Sequence, residues 1–234
     1  MKIVTFSGLD GCGKSTQVAA LAAALSARGY RVYRMVTLYA SVTGWMTLLR
    51  EERKKRSTKR PKPGSIAPSN PAQERYPRGR AFLADRVTYR ARLRRLMAYP
   101  LDCIALTLWL WSVRLRGVNV VICDRYLCDK LVNLPSPAGL FARILRYLVP
   151  RPDASFLLEV DPAVASVRRP EHTMDYFAAK DAGYRELAQA GFELEMVPGG
   201  SAAEMQRYII SRALAIMQRE RHSALAPEPD IMTG

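Results

Sequence analysis

Gly8-Leu9-Asp10-Gly11-Cys12-Gly13-Lys14-Ser15, with Thr16 behind it, is the stretch that decides how this chain folds. Its spacing is GxxxxGK[ST]. Before it, Lys2 to Ser7 reads as a short strand; after it, Lys14 to Ala27 is rich in Ala and Leu and reads as a helix. A strand, a glycine-rich turn and a helix in that order let consecutive backbone N–H groups curl around phosphate oxygens. The positive end of the helix points at the same place. In such a loop Lys14 is expected to reach the β- and γ-phosphates of ATP, and the Ser15 hydroxyl to take one Mg²⁺ position. Gly8, Asp10, Gly11, Cys12, Gly13, Lys14, Ser15 and Thr16 are therefore the candidate cofactor-binding residues, with ATP and Mg²⁺ as the cofactors. No Asn-Lys-x-Asp stretch that would read guanine occurs, and nothing basic lies between Lys2 and Lys14 to act as a second loop lysine.

Outward from the loop, apolar runs and helical patches alternate. Arg31 to Thr37 is the second strand candidate, after Gly29 at a helix C-terminus. Gly44 to Lys55 reads as helical, and Ser57 to Ala72, with four prolines and almost no apolar side chains, as a mobile loop. A helix from about Arg80 to Ala98 is expected to break at Pro100 and resume from Leu101 to Arg116. Asn119 to Cys123 is continuously apolar, as in a strand buried on both faces. Helices are expected over Ala138–Leu148, Pro162 to about Arg168, Asp175–Ala190 and Ala202–Arg221, and strands over Ala154–Val160 and Phe192–Val197. Five strands separated by helices imply right-handed crossovers. The expected fold is three-layer α/β around the phosphate-binding loop, a five-stranded parallel sheet with helices on both faces. One domain is expected over 1–221, with a basic mobile insertion at about 53–80 and a disordered tail at 222–234.

The composition excludes several classes. Of 234 residues, 49% are hydrophobic and 24% charged, too apolar a mix for a disordered chain. Cys12, Cys103, Cys123 and Cys128 are too few for a disulfide scaffold and have no zinc-site spacing, so free thiols in a reducing cytosol are expected. The opening residues read as a strand and not as an export signal. The longest near-apolar run, Cys103 to Val113, falls short of the ~20 residues of a spanning helix. The expected location is cytoplasmic, with attachment at most to a membrane surface. Lys and Arg number 36 against 21 Asp and Glu, and Arg50 to Arg95 alone holds 16 basic and 4 acidic residues. That segment fits a solvated face or attraction to an anionic membrane. No nucleic-acid motif accompanies it, so nucleic acid is not expected as a partner. Trp109 and Trp111, with Leu106, Leu108 and Leu110, suit either interfacial attachment or a buried helix. His172 and His222 have no partner suggesting metal or acid–base chemistry and are expected at the surface.

A second element stands at Val120-Val121-Ile122-Cys123-Asp124-Arg125-Tyr126, a buried strand ending in an acid and a base. Residues just past the C-terminal end of a parallel strand face the ligand crevice. Asp124 there can hold Mg²⁺, and Arg125 can span donor and acceptor phosphates. With Phe6 to Gln17, Asp124-Arg125-Tyr126 and Leu158-Glu159-Val160-Asp161-Pro162 leading into an Arg-bearing segment, the chain resembles the thymidylate kinase-like nucleoside monophosphate kinases over roughly 1–219. The resemblance implies that Asp10 approaches the acceptor's sugar hydroxyl and that Arg125 bridges both substrates. It also implies that Arg168 and Arg169 of a short lid neutralise charge, Gly11 standing where some members carry Arg. Pro198 and Gly199 resemble the family's adenine-contacting loop.

The chain departs from the family at two places. After the second strand it has Val36-Thr37-Leu38-Tyr39-Ala40 in place of an Arg-Glu-Pro-Gly-Gly-like stretch. Where an Ala-Asp-Arg motif is expected it has Leu101-Asp102-Cys103, keeping the acid without the Arg; Ala84-Asp85-Arg86 stands too far back. In the family that the chain resembles, the arginines missing at these two places hold the acceptor nucleotide. The implied activity is transfer of the ATP γ-phosphoryl group, with Lys14, Asp124, Arg125, Arg168 and Arg169 catalytic, Ser15 and Asp124 on the metal, and Asp10, Asp102 and Arg125 at the acceptor. A nucleoside monophosphate such as dTMP or dUMP leads as acceptor. A lipid- or glycan-linked hydroxyl at the membrane, or an ATP-dependent switch without transfer, remain as alternatives. A homodimer is among the assemblies left open.

Overall fold

A computed structural model describes residues 1–36, 89–170, 172–198 and 200–225, with the backbone alone for 89–95 and 219–225. Five strands, β1 (Lys2–Gly8), β2 (Val32–Val36), β3 (Val120–Asp124), β4 (Ala154–Leu158) and β5 (Glu195–Val197), form one all-parallel sheet. Among the described residues seven helices accompany it: α1 (Lys14–Ser26), α2 (Tyr89–Leu115), α3 (Leu127–Leu131), α4 (Leu140–Tyr147), α5 (Pro162–Arg168), α6 (Met174–Gln189) and α7 (Ala202–Leu225). The strand order is β2-β3-β1-β4-β5.

Alternation along the strands sends neighbouring residues to opposite faces. Val4, Phe6, Ile122, Phe156 and Leu158 pack with Leu21 and Leu25 of α1 and Ile209 and Ala213 of α7. Ile3, Val121, Cys123 and Leu157 belong to a second core with Leu106 and Leu110 of α2, Leu131 of α3, Leu145 of α4 and Phe177 of α6. The sheet is thus covered on both faces, and the expected α/β class with a five-stranded parallel sheet is what the chain forms. The register sets up the site: Phe6 lies opposite Asp124 and Gly8 opposite Leu158. The chain therefore leaves β1, β3 and β4 at one edge of the sheet, with β1 in the middle.

Several boundaries differ from expectation. Pro100 does not break its helix; α2 runs through it to Leu115. Proline removes one intrahelical bond, to the carbonyl of residue 96. Leu96 is half exposed, while Tyr99, Cys103, Leu106 and Leu110 anchor both sides of the break in the core. The fourth strand stops at Leu158, and α3 appears where no helix was expected. The last helix continues to Leu225, so the start of the expected tail is helical. The expected helix at 44–55, the loop at 57–72, the insertion at 53–80, Ala84-Asp85-Arg86 and the tail from 226 lie outside the described residues.

The apolar stretch of α2 is also longer than the run Cys103–Val113. Leu96–Leu115 is long and apolar enough, by length and composition, to cross a membrane, with mean hydropathy 1.4 and one third of it buried. Leu106 and Leu110 face the core, whereas Leu108 and Trp111 are exposed, so these residues do not form one group. All four cysteines are buried thiols outside any disulfide.

Candidate active site

The loop between β1 and α1 is shaped by three glycines with positive φ, Gly8 at 141°, Gly11 at 88° and Gly13 at 92°. Gly8 has a second constraint, because a Cβ there would stand 2.6 Å from Leu158 O. Gly13, the N-cap of α1, has no side chain to cap the helix's first N–H groups. Lys14 is buried, and its Nζ donates to Gly8 O at 2.9 Å and Leu9 O at 2.8 Å, closing the loop into a ring.

Across the sheet edge, the Ser15 hydroxyl donates to Asp124 Oδ2 at 3.0 Å. The other carboxylate oxygen, Oδ1, is buried without a hydrogen-bond partner among the described residues. A buried carboxylate oxygen left open beside a hydroxyl costs stability unless something else occupies it. The pair fits Mg²⁺, which takes one or two protein oxygens and completes its shell with phosphate and water. Among the described residues no group of three or more His, Cys, Asp and Glu could hold a metal by itself.

Asp10 is the hub of the loop. Its Oδ1 accepts from the Arg125 guanidinium, and its Oδ2 from Tyr176 Oη at 2.9 Å and Lys180 Nζ at 3.3 Å. Burial pushes the carboxyl up, but Lys180, Arg125 and Lys14 outweigh it and hold the group below the usual carboxylate range. Burial lowers Lys180, against the pull of Asp10. Arg125 has φ 71°, unusual for a residue with a Cβ, and its backbone N–H donates to Phe6 O at 2.9 Å. Its neighbour Tyr126 buries its ring, with Oη donating to Pro150 O at 2.9 Å. The strained turn thus sends one side chain to the core and the other to Asp10.

A buried carboxylate, Asp129, supports the loop from below. It accepts from Ser7 Oγ at 2.8 Å, Tyr126 N at 3.1 Å and Tyr184 Oη at 2.8 Å. Tyr184 Oη also lies 3.3 Å from Gly8 O. Tyr176, Lys180, Tyr184, Asp129 and Ser7 are not among the site residues expected from the sequence. The available signal was the i, i+4, i+8 spacing of Tyr176, Lys180 and Tyr184, which places them on one face of α6.

Arg168 and Arg169 lie against the loop at Gly11. Arg168 Nη1 donates to Gly11 O at 3.1 Å, and a Cβ on Gly11 would lie 3.2 Å from Arg169 Cγ. Cys12 is buried against Lys14, its Sγ 3.6 Å from Nζ, and Thr16 N donates to Gly13 O at 3.1 Å. Pro198 is exposed after β5; Gly199 lies outside the described residues. The nearby Gln17 amide donates to Ala202 O at 3.0 Å, tying α1 to the start of α7.

Two expectations fare differently. Asp102 does not present its acid to an acceptor: its side chain is fully buried and Lys130 Nζ sits 2.6 Å from Oδ2. Its place on the core-facing side of α2 is the reason, since a charge there must be paired. His172 is buried and not at the surface, stacked on Tyr176 at 4.0 Å with an interplanar angle of 13°. The ring thereby backs the tyrosine that donates to Asp10. No protein-family model matches this chain, and no curated protein matches its sequence with significance.

Proposed function

We propose that this chain is an ATP-dependent phosphotransferase with a three-layer P-loop kinase fold, similar to the thymidylate kinase-like nucleoside monophosphate kinases. One observation carries the reading: the Ser15 hydroxyl meets Asp124 at the mouth of a glycine loop, and Asp124 Oδ1 is buried with no partner among the described residues. The strand order, with β1 central and feeding the loop, supports it. Mg²⁺ held at Ser15 and Asp124 would neutralise phosphate charge and orient the transferred group.

The protein's own groups have separable tasks in this reading. Lys14 would exchange Gly8 O and Leu9 O for phosphate oxygens. Arg125 stands ready to bridge two phosphates while Asp10 holds its guanidinium. Asp10 is already engaged by three donors, so contact with an acceptor hydroxyl would compete with Tyr176 and Lys180. Arg168 and Arg169 would bring positive charge over Gly11, where it can offset charge on the transferred group.

A nucleoside monophosphate, dTMP or dUMP first, is the leading acceptor. A second class, a lipid- or glycan-linked hydroxyl, is favoured by Asp102: the acid that would face a nucleotide is buried on Lys130, with no Arg beside it in sequence. The test is ADP release from ATP·Mg²⁺ with dTMP, dUMP, other nucleoside monophosphates or no acceptor, alongside Lys14→Ala. Strong stimulation by one monophosphate that Lys14→Ala abolishes supports the reading. A flat response with intact ATP binding removes nucleotides as acceptors, and full turnover by Lys14→Ala overturns the site.

A further inference from the structure

Met97, Leu101, Ile104, Leu108, Trp111 and Leu115 are all exposed on α2, from 46% for Ile104 to 83% for Leu115. Their spacing of 4, 3, 4, 3 and 4 residues makes one straight stripe along five turns of helix. The opposite face is committed to the protein, with Cys103, Leu106, Leu110 and Val113 in the core and Asp102 paired to Lys130. The helix therefore has the composition of a membrane span but cannot cross a bilayer without leaving its own sheet. The neighbouring α4, tied to α2 by Thr107 Oγ1 donating to Leu148 O at 2.8 Å, carries a second exposed row, Leu140, Ile144 and Tyr147. At roughly 200 Å² per large side chain, the two rows expose on the order of 1,000 Å², beyond the ~300–600 Å² of the largest patch on an ordinary monomer.

Charge decides what covers it. From 89 to 123 the only acidic residue is Asp102, which is buried, and from 130 to 152 there is none. The basic residues of the same stretches bracket the stripe: Arg90, Arg92, Arg94 and Arg95 precede it in α2, and exposed Arg114 and Arg116 end it. Exposed Arg143 stands within the row of α4. A second copy laid along α2, parallel or antiparallel, would set arginine-rich ends against arginine-rich ends with no carboxylate on the helix to pair them. An anionic bilayer meets both requirements: the apolar rows and the Trp111 and Tyr147 rings enter the headgroup boundary, and the exposed Arg114, Arg116 and Arg143 remain at the phosphates.

We infer that the exposed apolar faces of α2 and α4 form a docking surface for the interfacial region of an anionic phospholipid bilayer, on which the protein lies without spanning it. This inference is independent of the phosphotransferase reading and is tested without it. The experiment is flotation of the full chain with vesicles of phosphatidylcholine alone, or with about one third phosphatidylglycerol, at low and high salt. Leu108→Glu and Trp111→Glu, both at exposed positions, are compared by circular dichroism to establish that they remain folded, and light scattering gives the oligomeric state.

The expected result is flotation with the anionic vesicles only, weakened by salt and reduced at least about tenfold by either substitution. Absence of flotation overturns the inference, as does equal flotation of the folded variants, which would move the contact elsewhere. Flotation indifferent to lipid charge overturns the anionic assignment. A dimer that Trp111→Glu splits gives the face to a second copy instead.

Discussion

Asp10→Asn and Lys180→Met remove the two halves of one ion pair, and their costs should be unequal. Asp10 neutralises Arg125 on one oxygen and Lys180 on the other, with Tyr176 donating as well. An amide in its place leaves the two cations facing each other, the Lys180 side chain only 7% exposed. Stranding a buried charge in this way costs about 3–5 kcal/mol, and attraction of both cations to Asp129 puts the expectation near the lower end, about 3 kcal/mol. Lys180→Met keeps a chain of similar length against the Tyr176 ring, now 4.8 Å from Nζ, and leaves Asp10 with Arg125 and Tyr176. The ammonium was disfavoured by burial, so its removal should change stability by no more than about 1 kcal/mol. For a chain of this size 1 kcal/mol is about 2–4 °C, so thermal melts at pH 7 should show Asp10→Asn roughly 6–12 °C lower and Lys180→Met within about 4 °C of the parent. Acid provides an independent axis. A carboxyl held below its usual pKa adds stability above about pH 4 that is lost as the pH falls. The gap between parent and Asp10→Asn should therefore narrow progressively as the pH falls below about 4. Equal losses in the two variants, or a gap that persists in acid, would show that Asp10 does not act as the hub.

Gly183→Ala, on α6, would place a Cβ 2.6 Å from Val132 Cγ2, so denaturant unfolding should show a loss of about 1–3 kcal/mol from overpacking. Gly11→Ala combines φ 88° with a Cβ 3.2 Å from Arg169 Cγ; nucleotide-dependent turnover should fall more than stability, which should drop by about 1–2 kcal/mol. Burial pushes Cys103 up to about 11 and Cys128 up to about 12. A disulfide reagent at pH 8 should therefore find essentially no reactive thiol until the protein is unfolded, when four appear. Thiols raised in this way favour the folded state below the unfolded value near 8.5, so melts repeated at rising pH should lose stability above about pH 9.

What was legible in the sequence is what chemistry places on consecutive residues. The glycine loop had to follow a strand and open a helix, and Asp124-Arg125 had to end a buried strand, because each motif works only in that local frame. Their approach was not legible. It depends on the parallel register that sets Phe6 opposite Asp124, and on a left-handed Arg125 that no residue type announces. The partners of Asp10 were hidden for a similar reason: Tyr176 and Lys180 come from a helix more than 160 residues away, and their i, i+4 spacing alone does not distinguish a site from a packed face. α3 has only five residues, too few for a period to show. Asp102 illustrates the reverse error, where matching an acid by sequence position ignored the side of the helix it occupies. The apolar residues near Trp111 show why that matters. Leu106, Leu108 and Leu110 are two residues apart, and on a helix residues two apart do not face each other. Leu106 and Leu110 therefore enter the core, while Leu108 joins Met97, Leu101, Ile104, Trp111 and Leu115 outside it. The same helix holds the second core with one face and offers a continuous apolar surface with the other. A surface of that size carries a solubility cost, which the anionic bilayer inferred above would offset by covering the apolar stripe while meeting the charges of exposed Arg114, Arg116 and Arg143.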